Sequence, residues 1–444
     1  MVFAVLSTFF FLVFFLFSLF EKEWRASLVS FLSITINLSF WIFLIKYSHI
    51  RSIFIFNIII IIVVLFLSVL SFVKYFPAHP EKKTEKIKKY DERDHMFSRN
   101  NLNNHQNLRK KYYKKYPEKE KIDKKIGKFP NLGEKGSTFY DKYYSPVIDA
   151  AFSVLDRTGF LTDGSMAIKK QKTDPEKITE AIRFIAKYYG AVDIGITELK
   201  DFHFYSHHGR KSENWGKKVE NTHKYGIAII VKMDIDQIKH SPALPVLLES
   251  SKEYVESAKI AHIIAEYIRG FGFSARSHVD GNYDLLAVPL AADCGLGEVG
   301  RMGILIHKKL GPAVRISAVT TDIPLQTSVK QNFYIEEFCD ICKKCALNCP
   351  TGSISEDGKS SNRGFEHWSV NQEKCYTFWR RSGTDCAFCI RVCPYTKKDT
   401  LLHNFVRFYI SRNRINQRIA LFFDDIFYGR KFKIKKKNPK ITAY

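Results

Sequence analysis

The first twenty residues carry no charged side chain, so the chain lacks the positive n-region of a secretory signal peptide, and no small-residue cleavage site follows them. Acidic residues are in deficit: 45 Asp and Glu stand against 69 Lys and Arg, a net charge of +24. That imbalance points to an anionic partner, either nucleic acid or the acidic cytoplasmic face of a bilayer, and charge alone does not choose between them. Cysteine is nearly absent outside one block. Of the nine cysteines only Cys294 lies outside residues 339–393. An odd total clustered in this way does not suit a disulfide framework; it suits metal ligands in a reducing compartment. Internal repeats are missing too, apart from a doubled cysteine motif. Apolar residues are not scarce: at 45% of 444 residues they exclude a disordered chain and allow two or three domains.

The apolar residues concentrate first in three runs, 3–20 (FAVLSTFFFLVFFLFSLF), 27–45 (SLVSFLSITINLSFWIFLI) and 52–73 (SIFIFNIIIIIVVLFLSVLSFV). Each is close to the roughly 20 residues a helix needs to cross hydrocarbon. Uncharged runs this long are rare in soluble cores, so residues 1–75 are expected to be a membrane anchor of three transmembrane helices in contact with lipid. Lys74, Lys82, Lys83, Lys86, Lys88 and Lys89 follow the third run, and Lys22 and Arg25 lie on the same side, against Lys46 and Arg51 on the other. By the positive-inside rule the N-terminus faces out, and everything after residue 74 is expected in the cytoplasm, at the cytoplasmic membrane.

Residues 76–145 are rich in Lys, Tyr, Asn and Glu with little periodic apolar content, which reads as a basic connector wrapping the core, with short helical pieces and charges facing water or anionic lipid. From about 146 helices and strands alternate. Asp174-Pro175 opens a helix that Gly190 ends. VDIGIT and YGIAIIVKMD read as strands, a long amphipathic helix covers about 244–271, and short strands are expected around 284–289 and 313–320. Residues 146–330 thus form an α/β core, 331–400 the cysteine-bearing domain, and 401–444 a helical extension packed on that core, with a basic tail.

The cysteine block consists of Cys339-x2-Cys342-x2-Cys345-x3-Cys349-Pro350 and Cys375-x10-Cys386-x2-Cys389-x3-Cys393-Pro394. A tight CxxCxxC loop supplies three corners of an iron–sulfur cube, and the fourth cysteine, followed by Pro, crosses to the other cluster. Cys339, Cys342, Cys345 and Cys393 are therefore expected to hold one [4Fe-4S] cluster, and Cys375, Cys386, Cys389 and Cys349 the other, in a ferredoxin-like domain. Structural zinc is the alternative for paired CxxC motifs, but zinc sites rarely use this longer string twice. Cys294 reads as a small buried side chain.

CGLGEVGRMGILIHKKLGPAVRISAVTTDIPL (294–325), with YDERDHMFSR (90–99), FYSHHGR (204–210), AEYIRGFGFSAR (265–276) and FFDDIFYG (422–429), in that order, resembles the reductive dehalogenase family over roughly residues 90–430. The resemblance implies an α/β core of α+β, nitroreductase-like form that binds a corrinoid (cobalamin), two [4Fe-4S] clusters and an organohalide substrate. It also implies a Tyr proton donor about a dozen residues before an (F/Y)IR helix segment, which matches Tyr254, and an Asn beyond that helix, which matches Asn282 when two extra residues are allowed. A basic residue beside the tyrosine matches Arg315. A neighbouring cation stabilises the phenolate that a tyrosine acid leaves behind. Gly295, Gly297, Gly300 and Gly303 would let backbone approach a large cofactor, or serve a tight turn. No Asp-x-His-x-x-Gly string is present to ligate cobalt, consistent with the family's habit of binding the cofactor without a protein ligand to the metal.

Respiratory family members carry a twin-arginine signal and dock on a separate small membrane protein. Here neither the signal nor the need is apparent, so the anchor looks fused to the enzyme, and quinol, ferredoxin or a flavoprotein all remain open as electron donor. Two other readings stand beside this one: an epoxyqueuosine-reductase-like corrinoid enzyme acting on tRNA, against which membrane spans and the 90–99 and 422–429 strings argue, and a membrane-bound iron–sulfur electron-transfer subunit, which leaves the α/β core without a task. Purified protein should be brown and carry about eight iron atoms per chain; colourless protein, or zinc in place of iron, contradicts the cluster assignment.

Overall fold

Proline and short acidic side chains mark where the helices start. In the computed structural model, which describes residues 2–47, 55, 56, 58–60, 62, 63, 73, 75, 87–361, 363–434, 438 and 439, two long apolar helices come first, α1 (Val2–Phe20) and α2 (Trp24–Tyr47). The connector then forms α3 (Met96–Asn101), α4 (Gln106–Lys115) and α5 (Pro117–Ile126). In the core, α6 (Pro146–Arg157) and α7 (Pro175–Tyr188) lead into β1 (Asp193–Glu198) and β2 (Tyr225–Lys232). Asp174 caps α7 by accepting from Glu176 N at 2.9 Å ahead of Pro175, and Gly190 stands just past its end at φ +109°. A short α8 (Ile235–Ile238), the long α9 (Leu244–Gly270) and β3 (Ala275–His278) follow, then α10 (Ala287–Asp293), β4 (Gly297–Val299), β5 (Leu305–His307) and β6 (Val314–Thr321). The cysteine block holds α11 (Ile335–Cys342), α12 (Lys344–Leu347), α13 (Gln372–Ser382) and α14 (Phe388–Arg391), and α15 (Leu401–Ile410) and α16 (Arg414–Phe427) close the described chain.

The chain divides into two compact units, residues 1–81 with 398–432, and residues 82–397 with 433–444. The larger unit is built on a four-stranded sheet in the order β1-β2-β6-β3, antiparallel at every pairing, so the core is of α+β form. Both faces of β2 are buried, as its unbroken apolar run YGIAIIVK requires. Ile227, Ile229 and Val231 pack with α7 and α9, while Ala228 and Ile230 pack with Leu290 and Ala291 of α10 on the other side. Cross-strand register carries the same parity into β6: Arg315 lies opposite Val231, Ser317 opposite Ile229 and Val319 opposite Ile227. Directly opposed residues share a face, so Arg315 and Ser317 point at α9. Ser250, Tyr254 and Ser257 recur on α9 at i, i+4 and i+7, and the Ser317 hydroxyl donates to Ser257 O at 2.8 Å. Strand and helix periods together bring a tyrosine and an arginine to one place.

One expectation changes. The stretch around 284–289 is no strand: Leu285 makes one isolated bridge with Phe204, and the short apolar run that follows is α10, an ambiguity that periodicity cannot settle in so few residues. The helices after residue 400 belong to the same compact unit as α1 and α2. Of the three apolar runs, two are helices long and apolar enough to cross a membrane, and the third, 52–73, falls largely outside the described residues, as do most of the lysines after it. Cys294 is buried, and a Cβ on Gly195 would stand 2.7 Å from its own Cβ, so a small side chain fits there.

The connector is tied down by one buried cation. Arg99, 1% exposed, donates through Nε and Nη2 to Asp123 on α5 at 2.8 and 2.7 Å, and through Nη1 to Glu373 on α13 at 2.6 Å. It thereby joins α3, α5 and the helix that carries Cys375. Arg99→Ala removes the cation that Asp123 and Glu373 share and should cost about 3–5 kcal/mol, read as a lowered thermal midpoint of the full chain in detergent; an unchanged midpoint would mean that the connector is not held by this residue.

Candidate functional site

The doubled cysteine motif is also doubled in backbone geometry. Lys343 follows Cys342 at φ +56° and Ala387 follows Cys386 at φ +47°, both left-handed, and each leads into a one-turn helix, α12 with Cys345 and α14 with Cys389. A non-glycine residue in that region costs about 1–2 kcal/mol, so its recurrence at the same place in both motifs marks a loop shaped for its ligand. Cys339, Cys342, Cys345 and Cys393 line one cavity, with Arg301 and Tyr395 beside them. Cys349, Cys375, Cys386 and Cys389 gather as a second group, each within electrostatic reach of others in it. These are the crossed quartets that the spacing implies, Cys375 included.

Among the described residues no group of three or more His, Cys, Asp or Glu stands close enough to hold a metal ion as it is. Thiols ringed about a cavity fit a cube with a metal at each corner better than one zinc ion. Burial pushes the thiols of Cys345 and Cys386 up, and a thiol so placed becomes a thiolate when a bound cation takes the proton's place. Cys349 differs. Burial raises it, but Thr351 and the Ser353 amide, which donates to its Sγ at 3.2 Å, bring it below the ordinary range. Arg301, 2% exposed, braces the first quartet: its Nε donates to Cys339 O at 3.1 Å, its Nη1 to Ser355 O and Asp357 O at 2.9 and 2.8 Å, and Trp368 stacks under it at 5.0 Å. Cys345 and Cys389, one from each quartet, feel each other's charge, so the two centres are neighbours.

The second quartet leads to the tyrosine. Asp385, immediately before Cys386, accepts from Arg315 Nη2 at 2.9 Å and from the Ser250 hydroxyl, which itself accepts from Arg315 Nη2 at 2.6 Å. The Arg315 guanidinium stands 5.0 Å from the Tyr254 ring centroid. Tyr254 and Arg315 are only partly covered, yet they lie deep in protein, as do Tyr205, Asp280 and Tyr283; Asp280 and Tyr283 are within electrostatic reach of Tyr254 and Arg315, and Tyr205 of Asp280 and Tyr283. The surface they keep exposed at that depth marks a recess beside the Tyr254 ring. Burial pushes Tyr254 up to about 12, with the Arg315 cation pulling against it, so the phenol keeps its proton throughout the neutral range. Burial likewise raises Asp280, opposed by Arg210 and Arg315. Arg210 Nε, Arg315 Nε and Asp385 Oδ1 are buried there without a hydrogen-bond partner, polar atoms suited to a polar ligand.

The structure thus brings Tyr254 and Arg315 together and leaves Asn282 apart. Asn282 accepts from Arg276 Nη2 at 3.0 Å and donates to Thr162 Oγ1 at 2.8 Å; its neighbours Asp280 and Tyr283 are the ones coupled to the Tyr254 group. The glycines are answered by their own chain. A Cβ on Gly295 would meet Val329 O at 2.6 Å, one on Gly297 would strike Ile306 O, one on Gly300 would meet Ile306 Cγ1 at 2.9 Å, and Gly303 stands beside Val370 at φ +76°. They allow tight chain packing, and a Cβ on Gly300 would stand 3.6 Å from Cys339 Sγ, so the space that Gly300 frees adjoins the first quartet. Ser250, Asp280, Tyr283, Arg210 and Asp385 escaped the sequence reading. Two signals for them existed: Ser250 sits one helical turn before Tyr254, and Asp385 directly precedes Cys386 of the second motif.

Residues 338–397 match the family model of a 4Fe-4S dicluster domain. A tetrachloroethene reductive dehalogenase of Desulfitobacterium hafniense is 35% identical over 211 residues, 45% of this chain and 38% of that protein. The tetrachloroethene reductive dehalogenase of Sulfurospirillum multivorans is 28% identical over 308 residues, 61% of each chain. Among solved structures, a catabolic reductive dehalogenase in complex with 3-bromo-4-hydroxybenzoic acid has a TM-score of 0.58 at 24% identity, covering 65% of this chain and 43% of that one, a likeness of fold. The chain therefore resembles reductive dehalogenases while spanning less than two thirds of the length of those proteins. Cys375→Ser should lower iron from about eight to about four atoms per chain and leave one cluster signal; retention of all the iron would remove Cys375 from the second quartet.

Proposed function

We propose that the chain is a membrane-anchored, corrinoid-dependent reductive dehalogenase. The observation that carries this reading is the contact of Arg315 with Tyr254, held by an aspartate one residue from a cluster-ligand cysteine: a proton donor and an electron entry meet at one cavity. The likeness in sequence and fold to reductive dehalogenases supports it, and the core is taken to be of the nitroreductase-like type.

Replacing halogen by hydrogen consumes two electrons and one proton: the carbon–halogen bond breaks, halide leaves, and a carbon–hydrogen bond forms. The two cysteine quartets would hold the clusters that supply electrons singly. A corrinoid in the cavity would supply the cobalt centre at which the carbon–halogen bond is cut, and the unpartnered polar atoms of Arg210, Arg315 and Asp385 suit its polar edge. Tyr254 holds the proton at its hydroxyl. Arg315 cannot turn away, because Ser250 and Asp385 fix its Nη2, and it stabilises the phenolate left after transfer. Burial that keeps Tyr254 protonated also keeps competing water from the reacting carbon. Asn282 would act at one remove, by orienting Arg276. We take α1 and α2, with the third apolar run, as a multi-pass anchor and the larger unit as cytoplasmic, served by a ferredoxin, flavoprotein or quinol donor.

Reconstitution with iron, sulfide and cobalamin, followed by assay of chloride, bromide and iodide release from a panel of organohalides with a strong reductant, tests this directly. Halide release is expected; bound clusters without corrinoid binding or halide would favour an electron-transfer subunit. Tyr254→Phe should bind corrinoid with an unchanged spectrum and lose turnover by about 10²–10⁴-fold, and undiminished turnover would end its role as the acid.

A further inference from the structure

Helices α15 and α16 are inside out. On α16, Ile415, Ile419, Phe422 and Ile426 recur at i, i+4, i+7 and i+11 with Phe423 beside them, one stripe along the helix, and all five are exposed, Ile415 by 68% and Phe422 by 61%. The polar Asn416 and Gln417 of the same helix are buried. On α15, Phe405 is 57% exposed while His403 is buried and pairs with Glu21 at 2.9 Å. A helix in water has the opposite arrangement.

The same reversal runs through α1 and α2. Asn37 donates to Thr8 Oγ1 at 2.8 Å and accepts from Ser7 at 3.1 Å between the helices, while Phe9, Phe10, Phe31 and Ile36 face outward. The apolar surface of α16 continues this one. The Phe14 and Phe427 rings pack with centroids 4.6 Å apart, tilted at 60°, and Arg25 Nε donates to Ile426 O at 3.3 Å, so α16 ends near the turn that joins the two spans. Phe14 lies seven residues before Glu21, about 10 Å along the axis from that turn. At 14 residues α16 is about 21 Å long, too short to cross hydrocarbon about 30 Å thick. Basic residues flank it: Arg412, Arg414 and Arg418 at its start, Arg430, Lys431 and Lys433 beyond its end.

We propose that α15 and α16 form an interfacial foot that lies in the plane of the bilayer at the exit of the spans, with the Ile415–Ile426 stripe among acyl chains and the flanking cations at anionic headgroups. The foot rests on the reading of α1 and α2 as membrane spans. Its role would be to hold the enzyme's C-terminal segment on the lipid surface from which an apolar organohalide or a lipid-soluble donor arrives.

Phe422→Trp and Ile419→Trp variants of the full chain, in nanodiscs of phosphatidylcholine and phosphatidylglycerol brominated high in the acyl chain, test it. The added tryptophan should emit to the blue and lose about half of its emission on bromination. Red, unquenched emission from both variants would put the face in water, and blue, unquenched emission would put it under protein; either overturns the foot. Trp24, 71% exposed on α2, is the internal reference. If its emission is quenched and that of the added residue is not, the spans stand and the foot falls; if neither is quenched, both fall.

Discussion

A guanidinium placed deep in protein has to be paired, because an isolated buried charge costs far more than a fold can spare. Arg315 meets that requirement with Ser250 from α9, Asp385 from the loop before Cys386, and the face of the Tyr254 ring. Three elements that are remote in sequence, 250–254, 315 and 385, are held to one point by this single cation. The sheet supplies its direction, since β6 parity turns Arg315 toward α9, and the cysteine domain supplies its counter-charge. The Tyr254 hydroxyphenyl ring is therefore positioned by the same contact that ties the cysteine domain to the α+β core, so disturbing one disturbs the other.

Arg99 and Arg301 repeat the device at other seams. Arg99 joins the connector to α13, and Arg301 joins the turn after β4 to the carbonyls around the first quartet. Neither is a surface ion pair of negligible worth; both are almost wholly covered, with planar forks whose donors reach several acceptors at once. A cofactor-rich domain has little apolar volume of its own, and buried arginines replace part of the missing core. The smaller unit has the reverse arrangement, with Asn37, Ser7 and Thr8 paired between α1 and α2 and aromatic groups outward.

Much of this was legible in residue order. The Asp-Pro start of α7, the unbroken apolar run of β2 and the long period of α9 are local patterns, and each appears where its pattern falls. The crossed cysteine quartets were legible because ligand spacing is set by the size of a cube, a local constraint. What was lost in reading was either short or non-local. Seven residues of α10 hold too few turns to declare a period. Asn282 and Asp280 lie two residues apart on one loop, and nothing in their order says which side chain turns inward. What covers the outward face of α16 is not legible in residue order, because an apolar stripe looks the same whether protein or lipid covers it.

By itself the sequence determined the periods, the caps, the apolar runs and the two ligand spacings, since each depends on neighbours within a few residues. Tertiary structure decided which arginine reaches which tyrosine, which loop residue faces the cavity and which unit the last helices join. Those outcomes depend on register between strands and on the pairing of buried charges, and both act between residues far apart in the chain.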